Sequence, residues 1–491
     1  MRKTIISILL SCMAVSLFGQ TKVSSKELFE DGEYFFWRQD YEEAVYYYLQ
    51  LHERYPENAN INYKIGESYL NIPGKETLAI PYFEKAVTNI TSKKEYDQKD
   101  FSEKKAPLHA YFYLGNAYRI NNELAKALQS YDTFVNHPDY EGNYNLTVVE
   151  NEIRASERAK IIQDSPVSIQ LINLGHPVNT AEENMYPVVS ADEQAMVFIT
   201  GLQFYDAIFY TVRNENGSWE EPVNISPLVG SDGDLYPTYL SPDGTTLLMV
   251  KKQDNNDDIF ISTLKDDEWT KAVSIGDNIN SRRDESYGSL SADGKTLIFT
   301  STKRSIGEAD IFIAKKQGDG TWSKPENIGK TINTEFDEAA PYLASDGKTL
   351  FFSSQGHYNM GGYDIFYTNR DASGKWSEPI NLGYPLNNTG DNKYFYPLEN
   401  GRIGYMALMR NNGYGQHDIY RVEILSALTH VYSNQRLKRL AEPQYHPLKK
   451  SFTLNIVNEL TKDTIAILTY DKRAASFSFM DYNDKYRFDF E

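Results

Sequence analysis

The sequence predicts a multidomain protein, α then β: an array of helical repeats, then a five-bladed β-propeller, then a short C-terminal β-domain. Three observations carry this prediction. Glycine, alanine and aromatic residues recur at helical spacing up to about residue 138, and an Asp-led apolar strand returns five times between 206 and 418 at intervals of 52 to 54 residues. Alternating apolar residues then resume after residue 450. A chain of 491 residues is too long for one hydrophobic core, so a division into domains is expected.

Residues 1–20 read as an export signal. Arg2 and Lys3 precede the stretch IISILLSCMAVSLFG, which is apolar but too short to span a bilayer comfortably, with cleavage expected near Gly19 or Gln20. The alternative is a lipid anchor in the outer membrane, because Leu9-Leu10-Ser11-Cys12 loosely resembles a lipobox in which Cys12 would be acylated. Either way the protein is expected outside the cytoplasm, in the periplasm. Cys12 is the only cysteine, so the folded part holds no disulfide and no thiolate metal site. The net charge of −18 repels phosphate backbones, so no nucleic-acid partner is expected.

Residues 21–164 are assigned to the helical array. Leu28, Gly32, Phe35, Ala44, Tyr48 and Leu51 lie at helical spacing before Pro56, and the frame returns with Gly66, Ala79 and Phe83, then with Gly115, Ala127 and Tyr131. The glycines let paired helices approach, and Pro56 stops the second helix. Gly66 follows Gly32 by 34 residues, and these units resemble tetratricopeptide repeats. The third unit starts late, and the polar insert TSKKEYDQKDFSEKK is expected as an exposed loop at the rim or a lengthened helix. The amphipathic stretch TVVENEIRASERAKII is expected to cap the array. Repeat geometry would line the concave face with Phe29, Glu33 and Phe36, then Tyr63, Glu67 and Leu70, then Phe112, Asn116 and Arg119. A partner peptide or helix could lie there; alternatively these side chains pack neighbouring repeats together.

Residues 165–427 are assigned to the propeller. The markers are Asp206, Asp258, Asp310, Asp364 and Asp418, each opening an apolar strand, with Trp219, Trp269, Trp322 and Trp376 in the same frame. Between them, strands are joined by Asp-Gly turns such as Ser291-Ala-Asp-Gly294, which suit the positive φ angles of tight hairpins. The segment SIQLINLGHPVNT at 168–180 matches the strand that ends each blade but follows no blade, so it is expected to supply the last blade's outer strand and close the ring. The Ser-x-Asp-Gly, Asp-Ile-Phe and Trp-Ser-x-Pro-x-Asn-x-Gly motifs resemble the WD40-like repeats of TolB-type propellers. Residues 428–491 contain four expected strands, SFTLNIVNEL, DTIAILTYD, ASFSFMDY and KYRFDFE, whose order resembles the start of a carboxypeptidase-regulatory-like or prealbumin-like sandwich, short of its full strand set.

No motif points to catalysis, metal or cofactor. The eight histidines are scattered, and neither a His-Glu-x-x-His helix nor a Gly-x-Ser-x-Gly elbow is present. Asp254-Asn-Asn-Asp-Asp258 lacks the glycine of a calcium loop and places Lys265 where a bidentate glutamate belongs. The five repeated aspartates are expected to hold blade turns. The domain order as a whole resembles the PorE-like envelope proteins of Bacteroidota. That resemblance implies a non-enzymatic scaffold, periplasmic or at the outer membrane, that binds partners of the type IX secretion machinery through the repeat groove and a propeller face. Those relatives usually continue into an OmpA-like domain, and without one peptidoglycan anchoring is not expected here. The alternative is a propeller that binds or processes a small molecule or glycan.

Overall fold

A computed structural model describes residues 23–140, 144–253, 256–303, 306–398, 401–410 and 412–425, together with the backbone of three strands between 451 and 481. The leader with Cys12, Asp254 of the acidic loop and the expected strand KYRFDFE lie outside the described residues. The chain divides into two compact units, with the boundary between Asn145 and Leu146.

In the first unit, α1 (Ser25–Trp37) pairs with α2 (Tyr41–Arg54), α3 (Ala59–Leu70) with the 3₁₀ turn Glu76–Ala79 and α4 (Ile80–Ala86), and α5 (Ala110–Ile120) with α6 (Leu124–Val135). Local chemistry fixes where these helices start. Ser24 and Glu27 exchange side-chain bonds to each other's backbone N–H as a capping box, and Asp40 and Asn58 cap α2 and α3. The recurring glycines work as expected. Gly32, Gly66 and Gly115 lie beneath the rings of Tyr48, Phe83 and Tyr131, close enough that a Cβ would come within 2.6, 2.9 and 2.3 Å of a ring carbon.

The polar insert departs from expectation. Instead of standing at the rim, it folds back through a short parallel pair, β1 (Ile90–Thr91) with β2 (Ala106–Pro107), and returns aromatic residues to the helices. Phe101 meets Phe29 edge-on at 5.8 Å, Tyr96 meets Tyr63 at 6.2 Å, and the Tyr96 hydroxyl donates to Asn60 Oδ1 at 2.7 Å. A stretch that reads as solvated by its charges is anchored by its two rings.

The second unit opens with α7 (Leu146–Gln163), the helix expected to cap the array. Its polar side chains show why it groups with the propeller: Asn151 donates to Gln355 O at 2.9 Å, and the Arg158 guanidinium lies 4.8 Å over the Tyr358 ring. The propeller follows. Blade 1 is β4 (Glu183–Val189), β5 (Ala195–Gly201), β6 (Asp206–Val212) and β7 (Val223–Asn224); blade 2 is β8 (Leu235–Leu240), β9 (Thr246–Lys251) and β10 (Asp258–Lys265), edged by β11 (Glu268–Trp269) and β12 (Val273–Ser274). Blade 3 is β13 (Glu285–Leu290), β14 (Thr296–Ser301), β15 (Asp310–Lys315) and β16 (Glu326–Asn327), and blade 4 is β17 (Glu338–Leu343), β18 (Thr349–Ser354), β19 (Asp364–Asn369) and β20 (Ile380–Asn381). Blade 5 is β21 (Tyr396–Leu398), β22 (Ile403–Leu408), β23 (Asp418–Ile424) and, as its outer strand, β3 (Ile169–Asn173).

That last pairing closes the ring as the sequence predicts, with Ile169 opposite Ile424 and Asn173 opposite Tyr420. Phe198, Leu247, Phe299, Phe352 and Tyr405 are fully buried, so each blade packs on the next through its second strand. Strands β24 (Ser451–Val457), β25 (Thr464–Asp471) and β26 (Ser476–Asp481) form an antiparallel meander in the C-terminal region.

Candidate functional sites

In the first unit the nine residues predicted to line the concave face divide between core and partly exposed positions. Phe29, Glu33, Tyr63 and Arg119 are buried, while Phe36, Glu67, Leu70, Phe112 and Asn116 keep partial exposure. Their partners explain this. The Lys64 ammonium is buried against Glu33 Oε1 at 2.6 Å and sits 5.5 Å from the Phe36 ring centroid, and the same carboxylate oxygen accepts from the Tyr48 hydroxyl at 2.6 Å. Tyr63 shares a 2.9 Å hydrogen bond with His109 Nε2, and Asn116 accepts from Tyr131 at 2.7 Å. Phe112 packs on Tyr131 and Phe134. Burial pushes the His109 imidazole down to about 4 and raises the Glu67 carboxyl above its usual range, so His109 is neutral near pH 7. Sequence reasoning left Lys64 and His109 unassigned, and the two rings of the insert, Tyr96 and Phe101, were its one legible signal.

The apolar surface left open in this unit lies elsewhere. Tyr34, Trp37 and Tyr46 are 54%, 58% and 58% exposed on α1 and α2. Tyr34 meets Phe35 edge-on at 5.2 Å, Phe35 stacks on Tyr47 at 5.5 Å, and Tyr46 meets Tyr47 at 5.3 Å, a continuous run of rings across both helices. An exposed cluster of this kind is informative where single exposed apolar residues are not.

In the propeller the repeated aspartates hold the blades. Asp310 accepts from the Ile306 and Gly307 N–H groups at 2.7 and 3.0 Å and from Asn327 Nδ2 at 3.0 Å. Asn327 in turn accepts from Asn333 at 3.0 Å, and Asn333 bonds both backbone groups of Ile311. The same relay recurs as Asp364–Asn381–Asn387 and, across the ring closure, as Asp418–Asn173–Asn179. The second asparagine was missed in the sequence, although an apolar-Asn-Thr/Ser step repeats at Asn179, Asn280 and Asn333. A further row of acids ties blade to blade: Asp284, Asp337 and Asp391 accept from the backbone N–H of Asp257, Ala309 and Tyr363 in the preceding blade. The Ser-x-Asp-Gly segments are turns, as in Ser291, whose hydroxyl donates to Asp293 at 2.6 Å and accepts from Thr296 N at 2.9 Å.

At one end of the ring, the first strands of the blades converge on a cavity of about 130 Å³. Tyr186, Tyr236, Tyr287 and Tyr394 line it, with Lys252 and Asp257 from the loop between β9 and β10. Tyr186 meets Tyr236 at 5.7 Å and Tyr394 at 4.7 Å, both nearly perpendicular, and the Tyr287 and Tyr394 hydroxyls lie 2.8 Å apart. Among the described residues there is no group of histidines or acids suited to hold a metal ion, and no helix long and apolar enough to cross a membrane.

Residues 32–58 match the tetratricopeptide repeat family. No curated protein matches the chain. Among solved structures, TolB from Acinetobacter baumannii is 16% identical over 57% of this chain and 71% of its own length, with a TM-score of 0.32. The α-L-arabinofuranosidase of Podospora anserina, solved with cellotriose, is 11% identical over 54% of this chain and 99% of its own, with a TM-score of 0.35. Likenesses at this level carry no argument about ligand or activity. On its own strand pairings and the matched repeat, the chain joins a helical unit containing a tetratricopeptide repeat to a unit containing a five-bladed β-propeller.

Proposed function

We propose that this protein is a non-enzymatic scaffold of the cell envelope, exported to the periplasm and associated with the outer membrane, that holds protein partners of the type IX secretion machinery. The observation that carries the scaffold reading is the exposure of Tyr34, Trp37 and Tyr46, with Phe35 and Tyr47 half-buried between Tyr34 and Tyr46, on the two helices in which the match to the tetratricopeptide repeat, residues 32–58, falls. Tyrosine and tryptophan supply large contact area with few rotatable bonds, the composition of binding hot spots. The absence of an enzymatic role in this reading is supported by Asp310 and Asp418, both of whose carboxylate oxygens accept from backbone or amide donors.

The test is an affinity pull-down of the tagged, exported protein from gently crosslinked envelope, with partners identified by mass spectrometry. Outer-membrane secretion components should be enriched, and a Trp37→Ala/Tyr46→Ala variant should lose them. Recovery of the protein alone would overturn the scaffold. A Cys12→Ala variant distinguishes the anchors: continued fractionation with soluble periplasmic protein removes the lipid anchor.

A further inference from the structure

The first strand of four blades carries a register shift at the same place, between Met185 and Val188, Pro237 and Tyr239, Ser286 and Ser289, and Ala339 and Tyr342. At these bulges Tyr186, Tyr287 and Ala340 take φ values of 52°, 50° and 49°, and in blade 5 Tyr394 takes 62°. Left-handed backbone costs a non-glycine residue about 1–2 kcal/mol. Glycine would make the same bulge without that penalty, so the bulge alone does not account for tyrosine at three of the four positions. What the strained tyrosines share is the cavity their rings line.

The cavity has a definite chemistry. Its lining includes Pro187, Pro237 and Pro341, which present apolar rings and no backbone N–H. Its walls are tyrosine faces, with hydroxyls able both to donate and to accept. Blade 4 places Ala340 where the equivalent positions of blades 1, 3 and 5 carry tyrosine, and the missing ring leaves room. Lys252 and Asp257 add one ammonium and one carboxylate, a pair with no net charge. The ammonium already lies 4.6 Å over the Tyr236 ring, filling the place a cationic ligand would take there. A volume of about 130 Å³ is close to the roughly 150 Å³ of an apolar cavity that takes one benzene ring, so the site holds at most a single six-membered ring, with a sugar's hydroxyls at its edge.

We propose that this pocket binds one neutral pyranose unit, free or at the end of a glycan. Such a ring has an apolar C–H face to lie on tyrosine and an edge of hydroxyls that donate to Asp257 and accept from Lys252. Charged sugars and cationic ligands are disfavoured by the balanced pair. This site goes beyond the scaffold role and is independent of it, since the aromatic run of the helical unit takes no part.

The experiment is saturation-transfer difference NMR on the full chain with glucose, galactose, mannose and N-acetylglucosamine, each tested separately, and with N-acetyltyrosinamide as a peptide-like control. At least one sugar should show transfer to its ring C–H protons. Ala340→Tyr should abolish it, because it fills the vacant position with a residue the fold accepts at three equivalent places. Asp257→Asn, nearly isosteric and on a loop, should weaken binding about tenfold, as loss of a hydrogen bond to a charged group does. A circular dichroism melt of each variant shows that the fold is retained. Transfer to none of the four sugars, transfer to N-acetyltyrosinamide alone, or a sugar signal that survives Ala340→Tyr overturns the proposal.

Discussion

At Gly115 a Cβ would stand 2.3 Å from Cε1 of Tyr131, a ring that is fully buried and hydrogen-bonded to Asn116. Two effects compete in Gly115→Ala. Helix propensity favours alanine by about 1 kcal/mol, whereas displacing a packed ring costs about 1–3 kcal/mol. The contact is too short for the ring to stay, so net destabilisation is expected in chemical denaturation, and a stabilised variant would refute the packing argument. Glu338 offers a second test. Burial pushes its carboxyl up to about 8, against the opposing bonds it accepts from Thr334 and Ser354. Between the ordinary value of 4.5 and about 8 the folded state holds a proton that the unfolded state has released, so this group's contribution to stability declines as pH rises through that window. In blade 1 the same place holds Asn184, which accepts from Thr180 N at 2.9 Å and donates to Thr200 at 3.0 Å, so an amide fits. Glu338→Gln should therefore gain on the parent by up to about 1.4 kcal/mol per pH unit across the window, and a difference that does not change with pH would refute the assignment.

Among the elements, β3 is the one whose role depends on being out of sequence order. It contributes the outer strand of blade 5 from the far end of the propeller sequence, and Asn173 on it bonds both Asp418 and Asn179. Ile172→Pro removes the ladder N–H opposite Arg421 and should cost about 1–3 kcal/mol, seen as earlier proteolysis at blade 5 in a timed digest. Equal resistance in the variant would mean that the ring does not depend on this closure. This strand was legible because its apolar pattern copies the other blade ends while lacking a blade of its own. Helix α7 and the insert were not legible in the same way. Amphipathicity says that a face must be covered, not by what; Asn151 and Arg158 settle it with partners about 200 residues away. In the insert, lysines and acids outnumber Tyr96 and Phe101, so composition pointed to solvent while two rings decided the packing. The tyrosine pocket was hidden for a third reason. Its members lie in five blades, and only the ring closure turns equivalent strand positions into neighbours.

For the whole molecule, the division at Asn145 and Leu146 separates two cores of different kinds. Leu28, Ala44, Tyr48, Leu51 and Ile65 form a helical core whose contacts are local in sequence, whereas Phe198, Leu247 and Tyr405 belong to a core assembled around a closed ring. Units of this sort unfold as separate cooperative transitions, so a single free energy does not describe the chain. Denaturant unfolding should resolve two steps. Gly115→Ala should move the step followed by far-UV helical signal, and Ile172→Pro should move the step reported by the fluorescence of the propeller tryptophans Trp219, Trp269, Trp322 and Trp376, all buried in the second unit. Because the first unit has its own tryptophan, Trp37, a Trp37→Phe background isolates the propeller signal. If each substitution moves one step alone, a partner bound by the helices and a sugar bound in the ring can be lost independently by mutation. If either substitution moves both steps together, the two units share one cooperative transition, and ligand at one should stabilise the other by the same mass action that stabilises its own site.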